Sequence, residues 1–157
     1  MPPILGTLIY AFRDNSLLLM ERNKPPNFGL WVGPGGKVEA SESPYECALR
    51  ELREETGLIA PALRFRGLIT EVSPRPDWHW LLFIYLAPQV EGELIGDERE
   101  GKFRWWPLHQ VLNASMPEAD RAFLPLVLDE SRPLVQGRYV YDNDLKLIKV
   151  IHHPTPD

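Results

Sequence analysis

The stretch "GGKVEASESPYECALRELREETGL", Gly35 to Leu58, leaves this chain few ways to fold. Ser43 and Glu46 form an S-x-x-E capping box with Pro44 at the first helical position, so a helix begins there. Gly57 stands where a helix C-terminal glycine belongs and ends it. At about 100° per residue, Tyr45, Ala48, Leu49, Leu52 and Thr56 share one arc, and Glu51, Glu54 and Glu55 share another. One face is fit to enter a core, and the other gathers three carboxylates into a small volume. Glu51 and Glu55 are like charges at i,i+4 spacing, which repel. Something must offset that repulsion.

Two kinds of cation fit. Hard divalent ions such as Mg²⁺ or Mn²⁺ take oxygen ligands and are often shared with substrate phosphates. Alternatively, Arg50 and Arg53 lace the face as an ordinary solvated helix surface, since Glu46, Arg50 and Glu54 are spaced four apart. The helix alone leaves both readings open.

The spacing around it narrows them. From Gly36, five residues lead to Glu42 and seven more to Arg50-Glu51-Leu52. One residue then separates these from Glu54-Glu55, and one more from Gly57-Leu58. Every specified position of the Nudix box is filled over residues 36–58, and the chain resembles the Nudix hydrolases, in particular their MutT-like branch. The resemblance extends more loosely to the hairpin before the box and the strands after it.

That resemblance implies an α/β fold, an α/β/α sandwich with a mixed central sheet and a loop–helix–loop catalytic motif. It implies hydrolysis of a nucleoside diphosphate linked to a further group, with Mg²⁺ or Mn²⁺. A phosphoanhydride is too anionic for water to approach until its charge is neutralised. Carried over by position, Glu51, Glu54 and Glu55 become metal ligands, with Glu54, or else Glu51, as the base. Gly35 offers its carbonyl to the metal, Arg50 orients Glu51, and Glu42 ties the loop to the helix; Gly36 and Gly57 are structural. A later acidic ligand is expected in "IGDEREGKFRWWPL", at Glu100, with Glu98 and Asp97 as alternatives. Substrate contacts are expected from Arg22, Trp31, Met116, Glu118 and Asp120.

The activity implied is that of a nucleoside triphosphate pyrophosphohydrolase of the 8-oxo-dGTP diphosphatase kind. An ADP-ribose, dinucleotide polyphosphate or nucleotide-sugar hydrolase is the alternative, and a non-catalytic nucleotide sensor is a third reading. Where some relatives place an asparagine after the tryptophan preceding the box, this chain has Val32, which cannot hydrogen-bond a purine. Base readout must then come from elsewhere. Phe28, Trp31, Trp78 and Trp80 are aromatic enough to stack on a base, though core packing is the simpler expectation for the tryptophans.

The remaining sequence reads as short elements punctuated by 16 prolines. Residues 4–12 and 17–22 form a hairpin around "RDNS". Strands are expected over 63–72, 78–87 and 102–108, and a helix over 117–130 that Pro125 should kink or interrupt. "RYVYD" and "LKLIKVIHH" form a closing hairpin. The 157 residues are expected to form one domain, 1–157. A net charge of −5 argues against duplex nucleic acid as partner. The longest apolar run falls short of a membrane span, and the single Cys47 cannot form an internal disulfide. A cytoplasmic monomer or homodimer acting on a small nucleotide is the expectation.

Overall fold

The structure, a computed structural model, describes residues 2–95 and 101–156. It opens with the expected hairpin, β1 (Ile4–Arg13) and β2 (Ser16–Arg22). Asp14 and Asn15 both take positive φ at its tip, the geometry that matches the right-handed twist of paired strands. A short β3 (Trp31–Val32) precedes helix α1 (Pro44–Thr56). Then come β4 (Arg64–Val72), β5 (His79–Ala87), β6 (Gly101–Pro107), helix α2 (Glu118–Leu128), β7 (Val135–Tyr141) and β8 (Leu147–His152).

The strands form one mixed sheet in the order β3-β2-β1-β5-β4-β7-β8, with β6 also paired to β2. β1 runs parallel to β5 and β4 parallel to β7, while the other pairs are antiparallel. Helices cover both faces. In β1 and β2, Tyr10, Leu17 and Leu19 pack toward α2 with Phe123, Leu124 and Val127. The alternate residues Ile9, Ala11 and Leu18 pack toward α1 with Ala48 and Leu52. Strands covered on both sides read as continuous apolar runs, which is why residues 4–20 show so little alternation.

Four local expectations need correcting. β4 begins at Arg64 rather than Leu63, and Trp78 lies just outside β5. β8 spans only Leu147–His152. Helix α2 runs on through Pro125 without a break. A proline there forfeits one backbone hydrogen bond, but Ala119, Phe123, Leu124 and Val127 bury the helix's apolar stripe and hold it in place.

The far end of α2 is closed by Arg66 of β4, which sequence reasoning did not single out. Its guanidinium is buried and donates to the carbonyls of Leu126, Val127, Asp129 and Arg132. A helix leaves its last carbonyls without intrahelical partners, and one arginine from the sheet supplies them.

Candidate active site

The glycine loop is laced to β1 as a makeshift neighbouring strand. Ile9 N–H donates to Pro34 O (2.8 Å), Thr7 N–H to Gly36 O (2.9 Å), and Val38 N–H to Leu5 O (2.9 Å). The fit is so close that a Cβ on Gly35 would stand 1.9 Å from Thr7 O. Only glycine lets the main chain pass there.

Helix α1 then meets this loop. Ser43 and Glu46 make both halves of the capping box, and Gly57 (φ 81°) closes the helix in the left-handed region, as the sequence required. Cys47, Ala48, Leu52 and Thr56 are its buried residues; Tyr45, placed on the apolar arc by periodicity, is partly exposed.

On the opposite side, Arg50 is the hub. Its Nε and Nη2 grip Glu42 as a fork, at 3.0 and 2.7 Å. Its Nη1 donates to Glu51 Oε1 (2.9 Å) and Glu54 Oε2 (3.1 Å). The fork from Arg50, with the Glu39 amide, holds the Glu42 carboxyl far below the usual range, at about 2. Glu51 moves the other way: burial raises its pKa, with Arg50 only partly opposing the shift. Glu55 Oε2 accepts from Gly35 N–H at 3.1 Å. The like-charge cost along the helix is therefore offset in two ways, by a guanidinium at Glu51 and a backbone amide at Glu55.

The expectation of three carboxylates converging on one point needs refinement. Among the described residues no three acidic, histidine or cysteine side chains form a ready-made cation cage. Arg50 draws Glu51 and Glu54 to itself, while Glu55 lies over Gly35. The donors are nonetheless all oxygens, and the Glu51 carboxyl is largely withdrawn from water, so the set suits a hard divalent ion. Glu100, Glu98 and Asp97 lie outside the described residues.

A cleft of about 820 Å³ opens beside the loop. Gly35, Gly36, Lys37 and Glu55 are among its lining residues. Arg22, Met116, Glu118 and Asp120 line it as well, four of the five residues expected to contact substrate. Trp31 is the exception. It packs edge-on against Trp106, ring centroids 5.3 Å apart, on the α2 side of the core. β3 is only two residues long, and its alternation turns Val32 rather than Trp31 to the cleft. Phe28 is largely exposed and is not among the lining residues.

Trp78 and Trp80, expected mainly as core, are half-buried on the cleft wall with ring centroids 5.7 Å apart. Lys37 Nζ lies 5.9 Å from the Trp80 ring. Sequence reasoning also missed Glu71, Tyr141 and Lys146, which line the cleft. Glu71 carried a readable signal, an acid two residues on from the fully buried Ile69 and so on the same strand face.

The comparisons agree with this architecture. The NUDIX domain family matches residues 2–127. This chain belongs to the Nudix hydrolases, enzymes that act on phosphoanhydride bonds and generally use a divalent metal. The crystal structure of the mutator MutT protein from Bacillus halodurans superposes with a TM-score of 0.86 at 31% identity, covering 98% of this chain and 99% of that one. The oxidized purine nucleoside triphosphate hydrolase of Mus musculus is 31% identical over 82% of this chain and 81% of its own. The ADP-ribose pyrophosphatase of Methanocaldococcus jannaschii is 34% identical over 58% of this chain and 55% of its own. Among the described residues, no helix is long and apolar enough to cross a membrane.

Proposed function

We propose that this hydrolase splits a nucleoside triphosphate into a nucleoside monophosphate and pyrophosphate, with Mg²⁺ (or Mn²⁺) as its metal and an oxidised purine as the preferred base. One observation carries the reading: the glycine loop, Glu55 of α1 and a pair of tryptophans line a single cleft. Three cationic side chains, Arg22, Lys37 and Lys146, line it. A polyphosphate tail needs oxygen-bound metal and that charge, and an aromatic base needs flat rings to stack on. The similarity to the mouse enzyme supports the choice of base.

Glu51, Glu54, Glu55 and the Gly35 carbonyl are the proposed metal ligands, with Glu100 added from its loop. A divalent ion there supplies Lewis acidity and neutralises phosphate charge. The chain does the rest. Arg50 holds Glu51 and Glu54 in reach, and Glu42 fixes Arg50 from behind. Glu54, far more exposed than Glu51, is the proposed acceptor of the attacking water's proton. Lys37 and Arg22 steady the phosphates, and the tryptophans stack on the base.

The test is a screen for pyrophosphate and phosphate release with Mg²⁺ over oxidised and normal triphosphates, ADP-ribose and dinucleotide polyphosphates. Pyrophosphate from triphosphates, 8-oxo-dGTP foremost, is the expected result. Glu54→Gln lowers turnover at least about a hundredfold. Release from ADP-ribose or dinucleotides alone would replace this reading with the second one, which the archaeal relative favours.

A further inference from the structure

Trp78 and Trp80 form an aromatic wall of the cleft, their ring centroids 5.7 Å and their planes 59° apart. A buried indole is usually fixed by its N–H, which finds an acceptor. Here the Nε1 atoms of Trp78 and Trp80 are both buried, and neither has a hydrogen-bond partner among the described residues. What the rings pack against must therefore set their orientation. Trp78 has Tyr141 edge-on, at 6.0 Å between centroids. Trp80 rests on something else.

Trp80 of β5 pairs in register with Ile4 of β1, so it shares a sheet face with Ile4, Gly6 and Leu8. On that face β1 carries a side chain at Ile4 and at Leu8 and none at Gly6. The benzene ring of the indole fills the gap: a Cβ on Gly6 would stand 3.0 Å from Trp80 Cζ3 and 3.1 Å from Cε3. Gly6 has no positive φ, so its backbone is one that alanine can adopt. The position calls for space rather than conformational freedom. Gly6 also bridges to Lys37 of the glycine loop, whose Nζ lies 5.9 Å from the same ring. Gly6 is buried and does not itself line the cleft.

We propose that Gly6 is a positioning residue for substrate binding. Bare backbone at this one place in β1 lets Trp80 settle against the sheet, and Trp80 in turn sets the angle of Trp78 and of the surface on which a base stacks. The inference rests on the nucleotide reading above. An indole is rigid, so a methyl group at residue 6 is not absorbed by a flexible chain end. The ring must lift or tilt by a few tenths of an ångström, and the stacking surface moves with it.

Gly6→Ala, Trp80→Phe and the double variant test this with two readouts. Indoles this close couple their transitions and give a couplet in far-ultraviolet circular dichroism. The Trp31–Trp106 pair gives another, and Trp80→Phe isolates the part that belongs to Trp80. Gly6→Ala is expected to diminish that part while the melting temperature changes little. Its KM should rise at least about threefold, a share of what one base–aromatic stack contributes. Its kcat should stay within about twofold, the pattern of lost binding common to ground and transition states. In the Trp80→Phe background the single ring leaves room for the methyl, and Gly6→Ala should have no further effect on KM. A general loosening of β1 would act in both backgrounds. An unchanged couplet or an unchanged KM in Gly6→Ala, or an equal rise of KM in both backgrounds, overturns the proposal. KM is read with whichever substrate the wild type turns over, so failure on 8-oxo-dGTP defeats the proposed function and leaves this test intact.

Discussion

Gly36 packs against Glu51 so closely that a Cβ at residue 36 would stand 2.6 Å from the carboxyl carbon of Glu51. The glycine of the loop thus sets where the acid of the helix can be. What it touches is the far end of a flexible side chain, which is free to move aside. Gly36→Ala is therefore expected to fold normally and misplace Glu51. Turnover should fall on the order of tenfold or more, because small displacements of reacting groups are costly, while the melting temperature changes little. Initial rates and a thermal melt on the same sample check this. A variant with full activity would detach that contact from catalysis.

The Arg50–Glu42 fork predicts an acid-sensitive clamp. The folded pKa of Glu42 lies at about 2, below its unfolded value, because Arg50 and the Glu39 amide hydrogen-bond the charged form. A depressed carboxyl contributes stability above its unfolded pKa and loses it as pH falls toward the folded one. Wild type should exceed Glu42→Gln in stability at pH 7, and the gap should close between about pH 4.5 and 2. Denaturant titrations at pH 7, 4 and 3 read it directly, and a gap independent of pH would rule the clamp out.

Arg66 predicts a purely structural loss. Replacing it by Met keeps much of the volume but takes a donor from four carbonyls at and just beyond the end of α2, of which Asp129 O keeps the Arg132 N–H. Buried groups left without partners cost about 1–3 kcal/mol each in the unfavourable case. Because solvent reaches some of these carbonyls, a net destabilisation of roughly 2–3 kcal/mol is expected. Urea unfolding measures it; a change under about 0.5 kcal/mol, the range of ordinary surface substitutions, would mean that Arg66 is dispensable.

Asp120 predicts the opposite pH slope. Its folded pKa of about 8 is raised above the unfolded value near 3.8 by burial and by Glu71. Its contribution is full below pH 3.8 and is lost as pH rises through 8. Between those limits the wild type should lose up to roughly 1.4 kcal/mol per pH unit from this group, and Asp120→Asn should not. Unfolding curves at pH 5, 6.5 and 8 compare the slopes. Parallel slopes would show that Asp120 ionises freely in the fold.

Much of this was legible along the chain. The capping box, Pro44 and Gly57 set both ends of α1, because caps depend on residues a few positions apart. The spacing from Gly36 to Leu58 pointed to the family before any fold was known. Trp31 shows where such reading stops: as an aromatic beside the glycine loop it looked like a base platform, yet the two-residue β3 turns it onto Trp106. Pro125 shows the same in reverse, since a local helix breaker is overridden by the buried stripe around it.

The order of residues by itself determined the helix, its acidic face and the glycine loop, since each follows from interactions within a turn or two of chain. Only the tertiary structure decided what those acids meet. It brought Thr7 against Gly36, Arg66 under α2, and Tyr141 onto Glu71 from 70 residues away. Contacts of that kind depend on which strands pair and which sheet face each helix covers, and these join segments far apart along the chain.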